Sequence, residues 1–529
     1  MTDLLARRLD LLSQPRHRDL LAHCIRGIEK ESLRVTADGQ LALTPHPAGL
    51  GSALTHPHIT TDYSESLLEF VTSARPALEE VIDELVDIHR FVYAKLGDEI
   101  LWNQSMPPIL PPEPDIPIAW YGTSNNGMLK HVYRRGLAVR YGKAMQCIAG
   151  IHYNFSLAPP VWQVLAPPDD GRDPQTRQSE AYLALIRNFT RYSWLLVYLF
   201  GASPALSEGF VAGKPHHLEH LHGDTLYLPW ATSLRMSDLG YQNKAQAGLK
   251  PCYTDLPSYL RNLYHAVNQP WPEYERIGTH RNGEWIQLNT HILQIENEYY
   301  SSIRPKRVAR RGERPLRALQ ERGVEYVEVR CIDINPFEPV GIDRISGRFI
   351  EAFLITCALE DSPNLPCDGW CLESGRNFVK VVTEGRKPGL TLARQGQEIP
   401  LADWAHELLN RISICAAALD DAQGHGEYTT AVRIQRNKVD NPALTPSARV
   451  LDLLASTGKT LQELSLELSQ QHARAFRATP LSGTRLRAFE ELSLRSLEEQ
   501  RELEAQPDCS FDEYVARYQA SLLPEAAPD

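Results

Sequence analysis

Two stretches of strand-like sequence carry acids where a sheet normally buries apolar side chains. In Gly323-Val-Glu-Tyr-Val-Glu-Val-Arg-Cys-Ile-Asp333, residues two apart share a face, so Tyr326, Glu328, Arg330 and Ile332 line one side and Val327, Val329 and Cys331 the other. In Gly27-Ile-Glu-Lys-Glu-Ser-Leu-Arg-Val35, the same period puts Glu29 and Glu31 on one face with Leu33 and Val35. The run from Thr61 to Val71 adds Asp62 and Glu69, the latter set between Leu68 and Phe70. Alternation from Gln146 to Phe155 places Gln146, His152 and Asn154 on one side and Cys147, Ile151, Tyr153 and Phe155 on the other. The plainer reading of the first stretch is an edge strand with a solvated Glu/Arg face, and of the acids taken singly, unconnected surface residues.

If the acids converge, two carboxylates ~4 Å apart repel by about 4 kcal/mol at an effective dielectric of roughly 20, so bound cations must offset them. Carboxylate oxygens with one imidazole suit Mg²⁺ or Mn²⁺ better than zinc, and Mg²⁺ on carboxylates usually serves phosphate chemistry. A phosphate donor then needs cationic clamps, for which Arg330, Arg235, Arg304, Lys306 and Arg307 are candidates. The basic run Arg310, Arg311 and Arg314 reads equally as a solvated loop. A Mg²⁺-dependent nucleic-acid-processing protein built on the Arg304 to Arg314 patch is the alternative of a different class.

The elements that must position these residues change along the chain. Up to about residue 340, apolar alternation and Pro/Gly punctuation indicate a sheet, with helical spacing at Val81 to Leu96 and Ala181 to Phe200. Beyond Gly347 the period is helical, through Phe349 to Leu354, Leu408 to Cys415, Leu451 to Leu468 and the Glu-rich Leu486 to Leu503. The expected class is α+β, with a sheet-rich core over 1–345 and a mostly helical region over 346–529 packed on it. Pro107 to Pro117 reads as an extended surface connection, and the tail after Leu523 as frayed.

The 529 residues are 43% hydrophobic and 23% charged, with a net charge of -11, which disfavours non-specific binding to nucleic acid or anionic membrane. Charges punctuate Met1 to Leu20, and the apolar burst Trp194 to Ala202 is shorter than the ~20 residues of a membrane helix. With nine scattered cysteines, this makes a cytoplasmic enzyme with reduced thiols the expectation. Several local patterns fail their own tests. Gly458-Lys-Thr460 lacks the first glycine of a phosphate loop, and His216-His-Leu-Glu-His220 matches an inverted zinc-protease pattern without the long helix it needs. Cys367 and Cys371 form a lone CxxxC, and Gly424-His-Gly426 is too short for a dinucleotide fingerprint.

Taken together, Gly27 to Val35, Thr61 to Glu69, Trp102-Asn-Gln-Ser-Met-Pro107, Tyr121-Gly-Thr-Ser-Asn-Asn126, Gly150-Ile-His-Tyr-Asn154, Ala231-Thr-Ser-Leu-Arg235 and Val327-Glu-Val-Arg330 closely resemble the proteobacterial glutamate-cysteine ligase family, also called gamma-glutamylcysteine synthetase. The resemblance covers nearly the whole chain. It implies a fold similar to the glutamine synthetase catalytic domain, a curved antiparallel sheet forming an open funnel with helices outside. It implies ATP-dependent joining of L-glutamate to L-cysteine through gamma-glutamyl phosphate, in a monomer inhibited by glutathione. Carried over by position, Glu29, Glu31, Asp62, Glu69, His152 and Glu328 look like Mg²⁺ ligands, and Gln146, Asn154 and Arg330 like contacts to glutamate or the transferring phosphoryl group. Tyr63, Tyr133, Arg235 and Tyr241, with Arg134 beside them, look like the cysteine pocket. On this reading Glu328 and Arg330 serve metal and phosphoryl group separately and need not pair with each other. A relative that activates glutamate identically but joins it to another amine is the nearest competing expectation.

Overall fold

A computed structural model describes residues 3–166, 171–239, 245–246, 248–249, 252–310, 312–364 and 370–522. Its centre is a seven-stranded sheet of β1 (Ile25–Val35), β2 (Ile59–Thr61), β3 (Leu67–Val71), β4 (Ile100–Leu101), β5 (Ile151–Ser156), β6 (Ile303–Lys306) and β7 (Tyr326–Ile332). The order is β6-β7-β5-β1-β3-β2, with β4 also on β1, and every pairing is antiparallel. The class is therefore α+β, an antiparallel sheet with helices around it, as expected.

One face of the sheet is apolar. Ile28, Phe70, Ile151, Tyr153, Phe155, Val327 and Val329 are all buried, and the registers Ile28↔Tyr153, Val327↔Phe155 and Val329↔Tyr153 put them on the same side. Helix α1 (Leu78–Tyr93) lies against β1 and β3, α2 (Pro174–Tyr192) against β6 and β7, and α3 (Arg344–Leu359) behind both helices. Helix α3 is apolar nearly all round, and every residue from Gly347 to Leu359 is buried, the pattern of a helix in the middle of a core. Asp343 caps it by accepting from the Ser346 amide. From Arg344 to Ala520 the described chain is helical apart from the hairpin Thr391–Arg394 with Gln397–Pro400.

Two charged groups on the apolar face show how it is held. Lys30, between the acids Glu29 and Glu31, points the other way and bonds His89 Nε2 at 2.9 Å and Asn103 Oδ1 at 3.1 Å; burial pushes its pKa down to about 7. Arg26 meets Glu351 of α3 in two parallel bonds, 2.6 and 2.8 Å, and Tyr153 and Tyr428 each donate to Glu351 at 2.6 Å. This cluster ties β1, β5, α3 and the helix Glu427–Asp440 into one unit.

The structure corrects two readings of strand alternation. The register of β7 against β5 shifts between Val329 and Ile332, so Ile332 pairs with Ile151 on the apolar face and does not join Glu328 and Arg330. A bulge, with one extra residue in β7, moves it across. Gln146 lies in a 3₁₀ turn, Ala144–Cys147, before β5 begins, so it reaches the other face by a turn and not by alternation.

Removing Glu351 leaves Arg26 buried without its counter-charge. Glu351→Ala is expected to cost about 3–5 kcal/mol of unfolding free energy, read as a lower urea midpoint, and Arg26→Met/Glu351→Leu together are expected to cost less. An unchanged midpoint for Glu351→Ala would refute the cluster's structural role.

Candidate active site

The registers align the polar residues of five strands on the face opposite the core. Glu69 of β3 stands opposite Glu31 of β1, Glu29 opposite His152 of β5, Asn154 opposite Glu328 of β7, and Glu328 opposite Arg304 of β6. Directly opposed residues in antiparallel strands share a face, so the sheet brings together acids separated by some 300 residues of chain.

At the centre, donor atoms of Glu29, His152 and Glu328 all lie within 4.8 Å of one another. His152 Nδ1 is 3.2 Å from Glu29 Oε2 and 3.6 Å from Glu328 Oε1, and its Nε2 is 3.5 Å from Glu31 Oε1. Asn154 donates to Glu29 Oε1 at 2.7 Å, leaving its buried Oδ1 without a hydrogen-bond partner. Glu328 is held on both sides by cations, Arg330 Nη1 at 3.0 Å and Lys306 Nζ at 3.1 Å. Glu328 and Arg330, which on the sequence reading need not pair, thus form an ion pair.

Charge is graded along this face. Burial pushes the Glu328 carboxyl up, but Lys306, Arg330 and His152 overcome it and hold it well below the ordinary carboxylate range. Glu29 is also opposed by burial, and its bond to His152 brings it below its ordinary value. Glu31 is raised, by burial and then Asp62, against the pull of His152 and Arg235. Glu69 is raised furthest, well above the carboxylate range, by burial and the charges of Glu29, Asp62 and Glu31. An oxygen-rich donor set with one imidazole and an excess of negative charge fits a hard divalent cation.

Beside the acids is a cavity of about 150 Å³ lined by Glu31, Asp62, Tyr63, Tyr133, Arg134, Gln146, His152, Arg235, Arg304 and Arg330 among others. The Tyr63 hydroxyl and Gln146 Nε2 are buried there without hydrogen-bond partners. Arg134 donates its Nε to the Asp62 carbonyl and lies 4.7 Å over the Tyr121 ring. Arg235 lies on Gly150 and donates to the Arg330 carbonyl at 2.9 Å; a Cβ at residue 150 would stand 1.9 Å from Arg235 Nη2. Arg304 spends Nη2 on the carbonyls of Asn297 and Tyr299. Tyr241 lies outside the described residues.

Sequence reasoning missed Leu137, Met145, Ile148, Asn297, Glu298 and Tyr300, which line the same cavity. Glu298 is a buried acid bonded by Arg140 at 2.9 Å and by the Gln294 amide at 2.6 Å. Two acids two apart after Ile295 were the available signal, and their irregular backbone hid it.

The competing motifs resolve into structural roles. Arg314 is buried, pairs with Glu296 at 2.6 Å and stacks on Tyr518, so it is not part of a solvated loop; Arg310 is exposed and Arg311 lies outside the described residues. No continuous basic strip for nucleic acid runs from Arg304 to Arg314 among the described residues. Gly458 is a left-handed helix C-cap and Thr460 opens the next helix with a capping box through Glu463. His216, His217 and His220 are exposed. Of the CxxxC pair, Cys371 is half-buried and Cys367 lies outside the described residues.

The fold matches a crystal structure of glutamate-cysteine ligase from Francisella tularensis in complex with AMP, with a TM-score of 0.89 and 40% identity, covering 94% of this chain and 98% of that one. It also matches a bifunctional glutathione synthetase from Pasteurella multocida, with a TM-score of 0.69 and 27% identity over 89% of this chain and 54% of that one. Fold and site place the chain among ligases. The pattern of the glutamate-cysteine ligase family matches residues 9–380, and the chain belongs to that family. Glutamate-cysteine ligases of Bordetella petrii and Pseudomonas entomophila are 60% and 59% identical to it, each over 99% of this chain and 98% of the relative. Among the described residues no helix is long and apolar enough to cross a membrane.

Because Arg235 needs the space over Gly150, Gly150→Ala is expected to leave the circular dichroism spectrum unchanged while lowering kcat/KM roughly tenfold or more, about 1.4 kcal/mol. Activity within twofold of the parent would show that the seat does not matter.

Proposed function

We propose that this protein joins the gamma-carboxylate of L-glutamate to the amino group of L-cysteine with ATP, the first step of glutathione biosynthesis. The observation that carries this reading is the row of acids, imidazole and cations across five strands, beside a cavity that suits an amino acid and not a polymer. A carboxylate is a poor electrophile. Its oxygen therefore attacks the gamma-phosphorus of ATP, the bond to ADP breaks, and gamma-glutamyl phosphate forms. The cysteine nitrogen then attacks the acyl carbon, and phosphate leaves.

The chain's residues divide this work. Arg330 faces the transferring phosphoryl group and stabilises its charge, with Lys306 and Arg304 at the same end of the face toward the nucleotide. Gln146 and Asn154 orient glutamate. Tyr63, Tyr133, Arg134, Arg235 and Tyr241 hold cysteine; a cavity that fits its thiol discriminates modestly against smaller analogues. Glu29, Glu31, Asp62, Glu69, His152 and Glu328 would hold Mg²⁺, or Mn²⁺ in its place. When bound, the metal supplies charge neutralisation for the phosphates. A cation held there would offset the repulsion that Glu29, Asp62 and Glu31 exert on Glu69.

Glutathione carries the gamma-glutamyl-cysteinyl unit of the product, so it fits the same cavity as a feedback inhibitor. The reading extends to a cytoplasmic monomer in which residues 346–529 back a catalytic core of residues 1–345.

Glu328→Gln keeps the side-chain shape and removes one negative charge. It is expected to lower ADP release with glutamate and cysteine by roughly 100-fold, about 2.7 kcal/mol of activation free energy, with the fold intact. Near-normal turnover would overturn the metal assignment. Chelation by EDTA is expected to abolish ADP release, with Mg²⁺ or Mn²⁺ restoring it, and a panel of amines is expected to show cysteine as the preferred acceptor; broad acceptance would transfer the reading to another amine.

A further inference from the structure

Arg235 enters the cavity from a short turn, Leu234–Met236, that belongs to no strand of the central sheet. What holds that turn is Asp333, the residue directly after β7, buried at 1% exposure. Its Oδ2 accepts from the Ala202 amide at 2.8 Å and the Ser203 hydroxyl at 2.6 Å, and its Oδ1 accepts from the Ser233 hydroxyl at 2.9 Å. Arg235 Nη1 lies 3.8 Å from the same Oδ1. Ser203 in turn accepts the Leu234 amide at its carbonyl, 2.6 Å. The next residue, Ile334, donates to Ser105 Oγ at 2.8 Å, and the Ser105 carbonyl accepts the Ala149 amide at 3.0 Å, next to Gly150. The turn that carries Arg235 and the segment on which its guanidinium lies are thus both hung from residues 333 and 334.

We propose that Asp333 is a positioning residue for the amine substrate: it aims Arg235 into the cavity and couples that aim to the strand bearing Glu328 and Arg330. The proposal rests on the reading of Arg235 as part of the cysteine pocket, where its guanidinium would take the carboxylate of that substrate. An asparagine at 333 keeps the shape but turns one of two acceptors into a donor, facing either the Ala202 and Ser203 donors or Ser233 and Arg235.

The test compares Asp333→Asn, Arg235→Ala and the double variant, with cysteine or with hydroxylamine, an amine without a carboxylate, as acceptor. Asp333→Asn is expected to raise KM for cysteine roughly tenfold, with KM for glutamate and ATP and the hydroxylamine rate within about twofold. On the Arg235→Ala background it is expected to add nothing further, since it acts through that residue. Should Asp333→Asn fold poorly, Ser233→Ala, which removes one bond, carries the same expectation with a rise of about threefold. A raised cysteine KM in Arg235→Ala but not in Asp333→Asn or Ser233→Ala overturns the positioning role and leaves the pocket reading standing. An unchanged cysteine KM in Arg235→Ala overturns both. Equal losses with cysteine and hydroxylamine, or additive losses in the double variant, also overturn the positioning role.

Discussion

Several carboxylates on one buried face of a sheet can coexist only where positive charge is arranged against them. In this protein the arrangement is a gradient. At the β6 and β7 end, Lys306 and Arg330 bracket Glu328 and keep it ionised. Toward β3 the pull of Arg235 and Arg134 is outweighed, and Glu31 and Glu69 are driven the other way by burial and by neighbouring acids, Asp62 for both. The cations suit phosphate and the acids suit a divalent cation, and Glu328 adjoins both.

That row depends on the opposite face. Side chains alternate in a strand, so a slip of one residue in β1 would carry Glu29 and Glu31 into the core and Lys30 into the site. The apolar set of Ile28, Phe70, Tyr153, Val327 and Val329 excludes the slip, and the Arg26–Glu351 cluster pins β1 and β5 to the helix behind them. The helical region thereby bears on the site without lining the cavity, through the hold of Glu351 on Arg26 and Tyr153. The bulge in β7, between Val329 and Ile332, breaks the alternation beside the Arg330 carbonyl that accepts Arg235.

Much of this was legible before any coordinates. Period-two alternation picked out β1, β5 and β7 and put Glu29 with Glu31, His152 with Asn154 and Glu328 with Arg330 on one face of each strand, because successive side chains in a pleat point to opposite sides; Glu69 stood out only as an acid inside an apolar run. The long motifs led to the family. Ile332 and Gln146 were misplaced on strands because a bulge and a 3₁₀ turn leave no periodic mark. Arg314 read as a loop residue because its partners, Glu296 and Tyr518, lie far along the chain. Asn297, Glu298 and Tyr300 went unnoticed because irregular backbone has no period to violate.

The division has a physical basis. Which residues face together within one strand is a local property of an extended chain, and the sequence by itself determined it. Which strands lie side by side, and therefore that Glu69 opposes Glu31, Glu29 opposes His152 and Glu328 opposes Arg304, depends on hydrogen bonds between segments well separated along the chain, as Glu29 and His152 are. The same holds for Asp333 and the turn that bears Arg235. Only the tertiary structure decided those meetings, because the packing of the whole core selects one register among many that each strand alone would accept.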